Sequence, residues 1–195
     1  MEGYKISSII RLSGNNYWGT AFAVELNNKI NFVTAGHVLI DCGVAANAHN
    51  AQLLMCDDTQ QFLSGPKLFD LTNIRWENNC DYVEFESDFP ATPFTIGSTP
   101  SVGDVCQMTG YLYSLNPREL PDCGVVINLS ATVLMLQAWQ ASNRQAIHLD
   151  VQTPVVDMSG MSGAPIIDSS GSAIGVFQGS LNKQNGGAPY VATTL

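Results

Sequence analysis

Residues 160–165 read Gly-Met-Ser-Gly-Ala-Pro, and residues 34–37, far upstream, read Thr-Ala-Gly-His. A serine hydroxyl is a weak nucleophile until an imidazole takes its proton. Glycines on both sides of Ser162 allow a sharp backbone turn that exposes the hydroxyl and makes neighbouring N–H groups converge on one point. The two stretches together indicate a nucleophile, Ser162, a general base, His37, and an oxyanion site at the N–H groups of Gly160 and Ser162.

The order of the residues along the chain restricts how such a site can be built. All the histidines, His37, His49 and His148, precede Ser162, which excludes the order Ser…Asp…His. The first aspartate, Asp41, follows His37, which excludes the order Asp…His…Ser with His37 as the base. Only the order His…Asp…Ser remains, and it requires an aspartate between His37 and Ser162.

Asp81 fits this third position best. Residues 82–85 alternate between two faces, as in a half-buried strand, so the carboxylate of Asp81 heads a strand. From there it would orient the imidazole of His37 and stabilise the imidazolium. Asp70 and Asp88 are the substitutes, and a surface aspartate at the start of a strand is the alternative interpretation.

Other residues of the same types have weaker contexts. Ser159 is a rival nucleophile, but it precedes the turn. We expect His49 in solvent, within a loop rich in Ala and Asn, and His148 either on a strand surface or beside the substrate. A β-turn of small residues without chemistry is the alternative interpretation of the stretch around Ser162.

The composition limits the partners of the protein. Apolar residues make up 45% of the 195 residues, which suffices for a sizeable core in one domain. Charged residues make up only 13%, compared with about 25% in typical soluble proteins. A net charge of −9 opposes binding to nucleic acid or to an anionic membrane, so we expect neither partner.

The cysteines are odd in number and lack the short paired spacing of a disulfide or zinc framework: Cys42, Cys56, Cys80, Cys106 and Cys123. We therefore expect reduced, buried thiols, no metal and no other cofactor. A metal site of Cys42, His49 and Cys56 is the alternative, although zinc sites favour close ligand pairs. Reduced thiols and the absence of an apolar leader predict a cytoplasmic location.

Four stretches in the same order resemble the trypsin-like (chymotrypsin-fold) serine proteases. They are residues 19–24 (Gly-Thr-Ala-Phe-Ala-Val), residues 32–38 around His37, Asp81 with its strand, and residues 160–165. Residues 102–111 and 175–179 give further support, and the resemblance extends roughly from residue 7 to residue 192. It implies His37, Asp81 and Ser162 as a catalytic triad.

The resemblance implies an all-β fold of two six-stranded antiparallel β-barrels with the active site in the cleft between them. Short apolar segments between turn residues favour the same class. One protease domain would span residues 1–195, with an N-terminal barrel at 1–88, a connector at 89–103 and a C-terminal barrel at 104–195. The predicted strands are 6–12, 19–26, 30–34, 52–56, 71–76, 82–87, 105–113, 124–130, 132–138, 146–151, 164–167, 173–179 and 190–192, with a helical turn at 35–40.

Departures from the family place the chain within it. Secreted trypsins have an aspartate before the nucleophile, which pairs with an inserted N-terminus, whereas this chain has Met161. They also have a cysteine directly after the catalytic histidine, and here Val38 stands in that position. The chain is therefore more similar to the HtrA-type, small bacterial and viral branches. The family usually has a small residue in place of Val83, which is a further departure.

The positions that line the cleft by this resemblance carry no charge. Val156 would form the floor of the P1 pocket, and its walls would fall near Gly179 and Ala188. We therefore expect a preference for medium or large apolar P1 residues. The main chain of Phe177, Gln178 and Gly179 would pair with an extended substrate, and Phe177 occupies the place of the histidine with which viral main proteases read glutamine.

The implied function is that of a serine endopeptidase that acts on proteins or peptides through an acyl-enzyme. A viral polyprotein-processing protease of the same mechanism is the nearest alternative. A pseudoprotease that binds partners, inactive or switched on by an activating protein, is an alternative of a different class. An unrelated β-sandwich that carries these motifs by chance is the third.

Overall fold

The computed structural model describes residues 9–57, 66–112, 125–152, 158–182 and 187–195. In these ranges the first half of the chain contains β1 (Ile9–Gly14), β2 (Tyr17–Leu26), β3 (Lys29–Ala35), α1 (Gly36–Asp41), β4 (Ala51–Cys56), β5 (Lys67–Glu77), a 3-10 helix (Asn78–Cys80) and β6 (Tyr82–Glu86). The second half contains β7 (Val105–Leu112), β8 (Val125–Ala138), β9 (Gln145–Gln152), β10 (Pro165–Ile167), β11 (Ala173–Asn182) and β12 (Gly187–Thr194). No helix in the described ranges has the length and apolar character to cross a membrane.

The strands close into two barrels, which confirms the expected architecture. The first has the order β1-β2-β3-β6-β5-β4 and the second β10-β11-β12-β9-β8-β7. All pairs within them are antiparallel. Closure removes exposed sheet edges and gives each barrel its own interior.

Two tight turns connect the first three strands of the first barrel. Asn15 and Asn16 have φ values of 45° and 60°, and Asn27 and Asn28 have φ values of 53° and 61°. Asparagine tolerates this left-handed region better than most residues, and two successive positive φ values form the hairpin turn that suits twisted strands. The two pairs therefore join β1 to β2 and β2 to β3 without long loops.

The predicted division of residues 124–138 into two strands is wrong, because these residues form the single strand β8 from Val125. Its first part pairs with β7 as far as Thr132, and its later part pairs with β9 from Ser130 onwards. A register shift between Val133 and Met135 is a bulge that bends the strand. The chain thus passes from one neighbour to the other without a loop.

Three clusters of buried side chains hold the fold together. One fills each barrel, with Phe32 and Phe85 stacked at 5.5 Å in the first and Met108 and Ile147 in the second. A third lies between the barrels and is composed of residues from both, including Phe22, Val24, Val33, Tyr82, Tyr111, Ile167 and Val176. This third cluster brings the His37 side of the chain against the Ser162 side.

The segment between the barrels is bonded to both of them. The N–H of Phe94 donates to the carbonyl of Ala23 in β2 at 2.8 Å. Three residues further on, the N–H of Gly97 donates to the carbonyl of Ala173 in β11, also at 2.8 Å. The connection therefore runs along the seam and adds to the contact between the two barrels.

The four described cysteines, Cys42, Cys56, Cys80 and Cys106, are buried thiols that form no disulfide with one another, as the odd cysteine count predicts. Cys123 lies outside the described residues. Burial raises the pKa of Cys42 to about 12 and that of Cys106 to about 11. Both thiols therefore stay neutral, and weakly nucleophilic, at neutral pH.

We expect Cys42 and Cys106 to resist alkylation by iodoacetamide at pH 8 in the folded protein, because only the thiolate reacts and their raised pKa values keep the thiolate fraction below about 1%. Peptide mapping by mass spectrometry measures this. The same protein unfolded in guanidinium chloride is the control and should react at both positions. Rapid modification of either cysteine in the folded protein would contradict the burial described.

Candidate active site

His37 and Asp81 form a doubly bonded pair in the first barrel. Helix α1 starts directly after β3, which places His37 in its first turn. The ring Nδ1 lies 2.6 Å from Oδ2 of Asp81, and the backbone N–H of His37 donates to Oδ1 at 2.8 Å. Because a carboxylate only accepts hydrogen bonds, Nδ1 carries the proton. Nε2 is therefore the nitrogen available to accept one.

Asp81 holds an uncommon backbone conformation directly before β6. Its φ is 50° and its ψ is 44°, in the left-handed region, where it ends the 3-10 helix Asn78–Cys80. Such a conformation costs about 1 kcal/mol or more in a residue other than glycine. The N–H of Gly36 donates to the Asp81 carbonyl at 3.0 Å, and a Cβ at Gly36 would lie 3.1 Å from Oδ1. Close packing at Gly36 thus lets the carboxylate reach His37.

Ser162 lies in a tight turn of the second barrel. Gly160 and Gly163 have φ values of 93° and 87°, which favour glycine strongly. Hydrogen bonds between described residues use the N–H groups of Met161 and Gly163, whereas those of Gly160 and Ser162 have no acceptor among them. These two free donors are the ones that the sequence assigns to the oxyanion site.

The turn is anchored to its own barrel by an apolar side chain. Met161 is fully buried in the second-barrel core. It occupies the position at which secreted trypsins have an aspartate. A buried methionine holds the turn by packing against the core of the second barrel.

Thr20 in β2 fixes the turn to the first barrel. Its hydroxyl donates to the carbonyl of Gly160 at 2.8 Å, and its N–H donates to the carbonyl of Ser162, also at 2.8 Å. The hydroxyl also accepts the N–H of Tyr111 at 3.0 Å, and Thr34 donates to the Thr20 carbonyl at 2.6 Å. Thr20 belongs to a stretch that resembles the trypsin-like serine proteases, but the sequence analysis assigned it no role.

The hydroxyl of Ser162 donates to the carbonyl of Gln178 at 3.3 Å. No hydrogen bond among the described residues joins Ser162 to His37. Proton transfer between them requires the hydroxyl to turn from Gln178 towards His37. Catalytic hydrogen bonds are often long or misaligned in the absence of substrate, so this conformation is compatible with a resting site.

Tyr17, at the start of β2, lies near Ser162. Burial, followed by the negative charge of Asp41, raises the pKa of Tyr17 above its ordinary value. The phenol therefore remains protonated at neutral pH and keeps its hydrogen for donation. Sequence reasoning missed Tyr17, and its place shortly before the motif that starts at Gly19 is the only signal for it in the chain.

The residues expected to line the cleft fall into different environments. Phe177 is fully buried, 5.9 Å from the ring of Tyr190, so its side chain belongs to the core. Its N–H donates to the carbonyl of Ala164 at 2.8 Å and its carbonyl accepts the N–H of Gly163 at 2.7 Å, so only the second lone pair of that carbonyl remains for a substrate. Gly179 has a φ of 139° and no atom within 4 Å of a Cβ placed on it. Ala188 lies in β12. Val156 lies outside the described residues.

The rival residues lie elsewhere. Asp70 is exposed on β5 and accepts a hydrogen bond from Gln52 at 2.7 Å. Asp88 and His49 are exposed, and His148 lies half-buried on β9. In the described ranges, no three His, Cys, Asp or Glu side chains come together as metal ligands.

Neither a family model nor a curated protein matches the chain. Its structure is similar to solved ones, among them Rv3671c from M. tuberculosis H37Rv in an inactive form, with a TM-score of 0.63, 15% identity, and 99% of this chain and 85% of that chain covered. The serine endoprotease from Yersinia pestis gives a TM-score of 0.62 at 14% identity, with 100% of this chain and 62% of that chain covered. Deg5 gives a TM-score of 0.63 at 17% identity, with 97% of this chain and 84% of that chain covered. At these identities the likeness shows the fold, which is the two-barrel fold of trypsin-like serine proteases.

We expect Gly163→Ala to destabilise the protein far more than Gly171→Ala. The two glycines have nearly equal φ values, 87° and 86°, but a Cβ at Gly163 would lie 1.9 Å from the Thr20 carbonyl oxygen, while nothing lies within 4 Å at Gly171. Gly171→Ala should cost about 1–2 kcal/mol of backbone strain, and Gly163→Ala that strain plus the clash. Urea-induced unfolding measures both free energies, and equal losses would contradict the geometry of the turn.

Proposed function

We propose that the protein is a serine endopeptidase with His37 as general base, Asp81 as its orienting carboxylate and Ser162 as nucleophile. The observation that carries the proposal is the doubly bonded pair of Asp81 and His37. The pair fixes which ring nitrogen holds a proton, and the Ser162 turn supplies two N–H groups that have no acceptor among the described residues. The chemistry of acyl transfer requires these two features together.

The proposed reaction proceeds in two halves. Nε2 of His37 takes the hydroxyl proton as Oγ of Ser162 bonds to the carbonyl carbon of the substrate, and the carbonyl electrons move to oxygen. The N–H groups of Gly160 and Ser162 stabilise that oxyanion, and each such donor is typically worth about 100- to 1,000-fold in rate. His37 then gives its proton to the leaving amine, and water hydrolyses the ester by the same route.

The proposed substrate is an extended, unfolded or loop segment of a protein. The main chain of residues 177–179 would bond it as an added strand, and the open space at Gly179 supports this approach. None of Val156, Gly179 and Ala188 carries a charge that would fix a charged P1 side chain. We therefore keep the preference for medium or large apolar P1 residues as part of the proposal.

A partner-activated protein is the second candidate, and one observation favours it. The hydroxyl of Ser162 is directed to the Gln178 carbonyl rather than to His37. A protein partner or the substrate itself would have to turn it. A viral polyprotein-processing role would use the same chemistry, and nothing in the site separates it from a cellular protease.

The proposed setting is cytoplasmic, without nucleic-acid or membrane partners. The buried, reduced thiols of Cys42, Cys56, Cys80 and Cys106 support a reducing compartment. The net charge of −9 supports the absence of polyanionic partners.

A fluorophosphonate probe tests the nucleophile. We expect it to label the purified protein at Ser162, located by mass spectrometry, and to leave Ser162→Ala unlabelled. His37→Ala should label at least about 1,000-fold more slowly, because the base is lost. His49→Ala, which changes an exposed histidine, is the matched control and should label at the wild-type rate. A folded protein that never labels would support a binding module instead.

A peptide library tests the specificity. We expect the wild-type protein to cleave mainly after medium or large apolar residues such as Leu or Phe, since an uncharged pocket gives charged side chains no partner. Mass spectrometry of the products locates the cleaved bonds, with Ser162→Ala as the control for contaminating proteases. Cleavage mainly after Lys, Arg, Asp or Glu would contradict this part of the proposal.

A further inference from the structure

The side chain of Gln178 crosses from the second barrel to the first. Its Nε2 donates to the carbonyls of Cys80 and Asp81, the latter at 3.3 Å, and lies 2.6 Å from Oγ1 of Thr193. Its main-chain carbonyl accepts the hydroxyl of Ser162. One residue thus contacts the nucleophile through its backbone and the backbone of Asp81 through its side chain.

These contacts reach the part of Asp81 that is conformationally strained. The Asp81 carbonyl accepts one hydrogen bond from Gly36 in the first barrel and one from Gln178 in the second. A residue in the left-handed region persists only where its surroundings fix it. Loss of the hydrogen bond from Gln178 would let the backbone of Asp81 relax and would move its carboxylate away from His37.

A second buried side chain completes the link. The hydroxyl of Thr193, in a residue with no exposed surface, donates to the carbonyl of Cys80 at 2.9 Å. The indole N–H of Trp139 donates to that same hydroxyl at 3.0 Å. Thr193 therefore holds the residue before Asp81 while Gln178 holds both, so two strands of the second barrel fix one segment of the first.

The NH₂ group of the Gln178 amide has no hydrogen left for a substrate. An amide NH₂ carries two hydrogens, and three acceptors surround it: the carbonyls of Cys80 and Asp81 and the hydroxyl of Thr193. A substrate could bond the main chain of Gln178 but not this group. Its side chain therefore acts within the protein.

We propose that Gln178, supported by Thr193, is a positioning residue that holds Asp81 from across the barrel interface and so keeps the carboxylate aligned on His37. The inference rests on the proposed function only in that Asp81 and His37 act in catalysis. The alignment itself is a property of the folded protein and is measurable without any substrate.

The first measurement is proton NMR of the hydrogen-bonded His37 Nδ1 proton, assigned by its loss in His37→Ala. We expect the wild type to show this resonance, shielded from exchange with solvent. Gln178→Met, which keeps the length of the side chain but removes the amide, should lose or broaden it. Gln52→Met changes an exposed glutamine on β4 and should retain it.

The second measurement is the second-order rate constant of fluorophosphonate labelling. We expect Gln178→Met to label about 10- to 100-fold more slowly, the size of effect that a displacement of about 1 Å in a catalytic group produces. In an Asp81→Ala background the same change should slow labelling no further, because the two residues act through one alignment. Thr193→Val should resemble Gln178→Met, and Thr193→Ser, which keeps the hydroxyl, should resemble the wild type.

The outcomes separate this inference from the proposed function. A wild-type resonance that disappears in Gln178→Met supports the inference even if no variant ever labels, in which case the proposed function fails alone. A resonance and a labelling rate unchanged in both Gln178→Met and Thr193→Val would overturn the inference. The inference would also be overturned if Gln178→Met slowed labelling as much in the Asp81→Ala background as in the wild type, since Gln178 would then act on the probe directly. If Gln178→Met does not fold, the contrast between Thr193→Val and Thr193→Ser decides.

Discussion

The two hydrogen bonds between Asp81 and His37 are the contact around which the site is arranged. They require the start of α1 and the turn before β6 to meet, which the pairing of Ala35 with Tyr82 achieves. They also require Asp81 to accept a left-handed backbone. The local sequence alone would favour neither, and hydrogen bonds from both barrels stabilise the result.

Ser162 has the opposite arrangement, because it lies in a turn of the second barrel that is bonded to a strand of the first. Thr20 bonds the carbonyls on both sides of Met161, and Met161 itself is anchored in the second-barrel core. Since the Gly160 carbonyl is held by the Thr20 hydroxyl, the peptide that follows it cannot rotate freely. A buried apolar side chain and hydrogen bonds between neutral groups thus hold the turn that contains the N–H groups of Gly160 and Ser162.

Much of this could be read from the sequence. The order of His37, Asp81 and Ser162 along the chain and the alternation after Asp81 are visible in the sequence. Together with the family resemblance they predicted the two-barrel fold. The strands were found because short apolar segments and turn residues mark them, and the division of β8 was wrong because a bulge replaces a loop without a distinct residue signature. For the same reason, the parts of β11 and β12 that extend beyond the apolar positions were not predicted.

The sequence does not reveal the contacts between side chains that are far apart along the chain but close in the fold. Tyr17, Thr20 and the amide of Gln178 act across the seam, and no spacing along the chain indicates them. The main chain of Gln178 was expected to pair with a substrate, which stays a prediction, whereas the position of its side chain against the turn that carries Asp81 was not expected. The barrel interface is therefore part of the site and not only its boundary.

The central claim is that the interface assembles an acyl-transfer site, and a crystal structure of the fluorophosphonate-treated protein tests it most directly. We expect phosphorus bonded to Oγ of Ser162, a phosphonyl oxygen accepting from the N–H groups of Gly160 and Ser162, and Oγ turned from the Gln178 carbonyl towards Nε2 of His37. An adduct on another residue, or a phosphonyl oxygen directed away from both N–H groups, would contradict it.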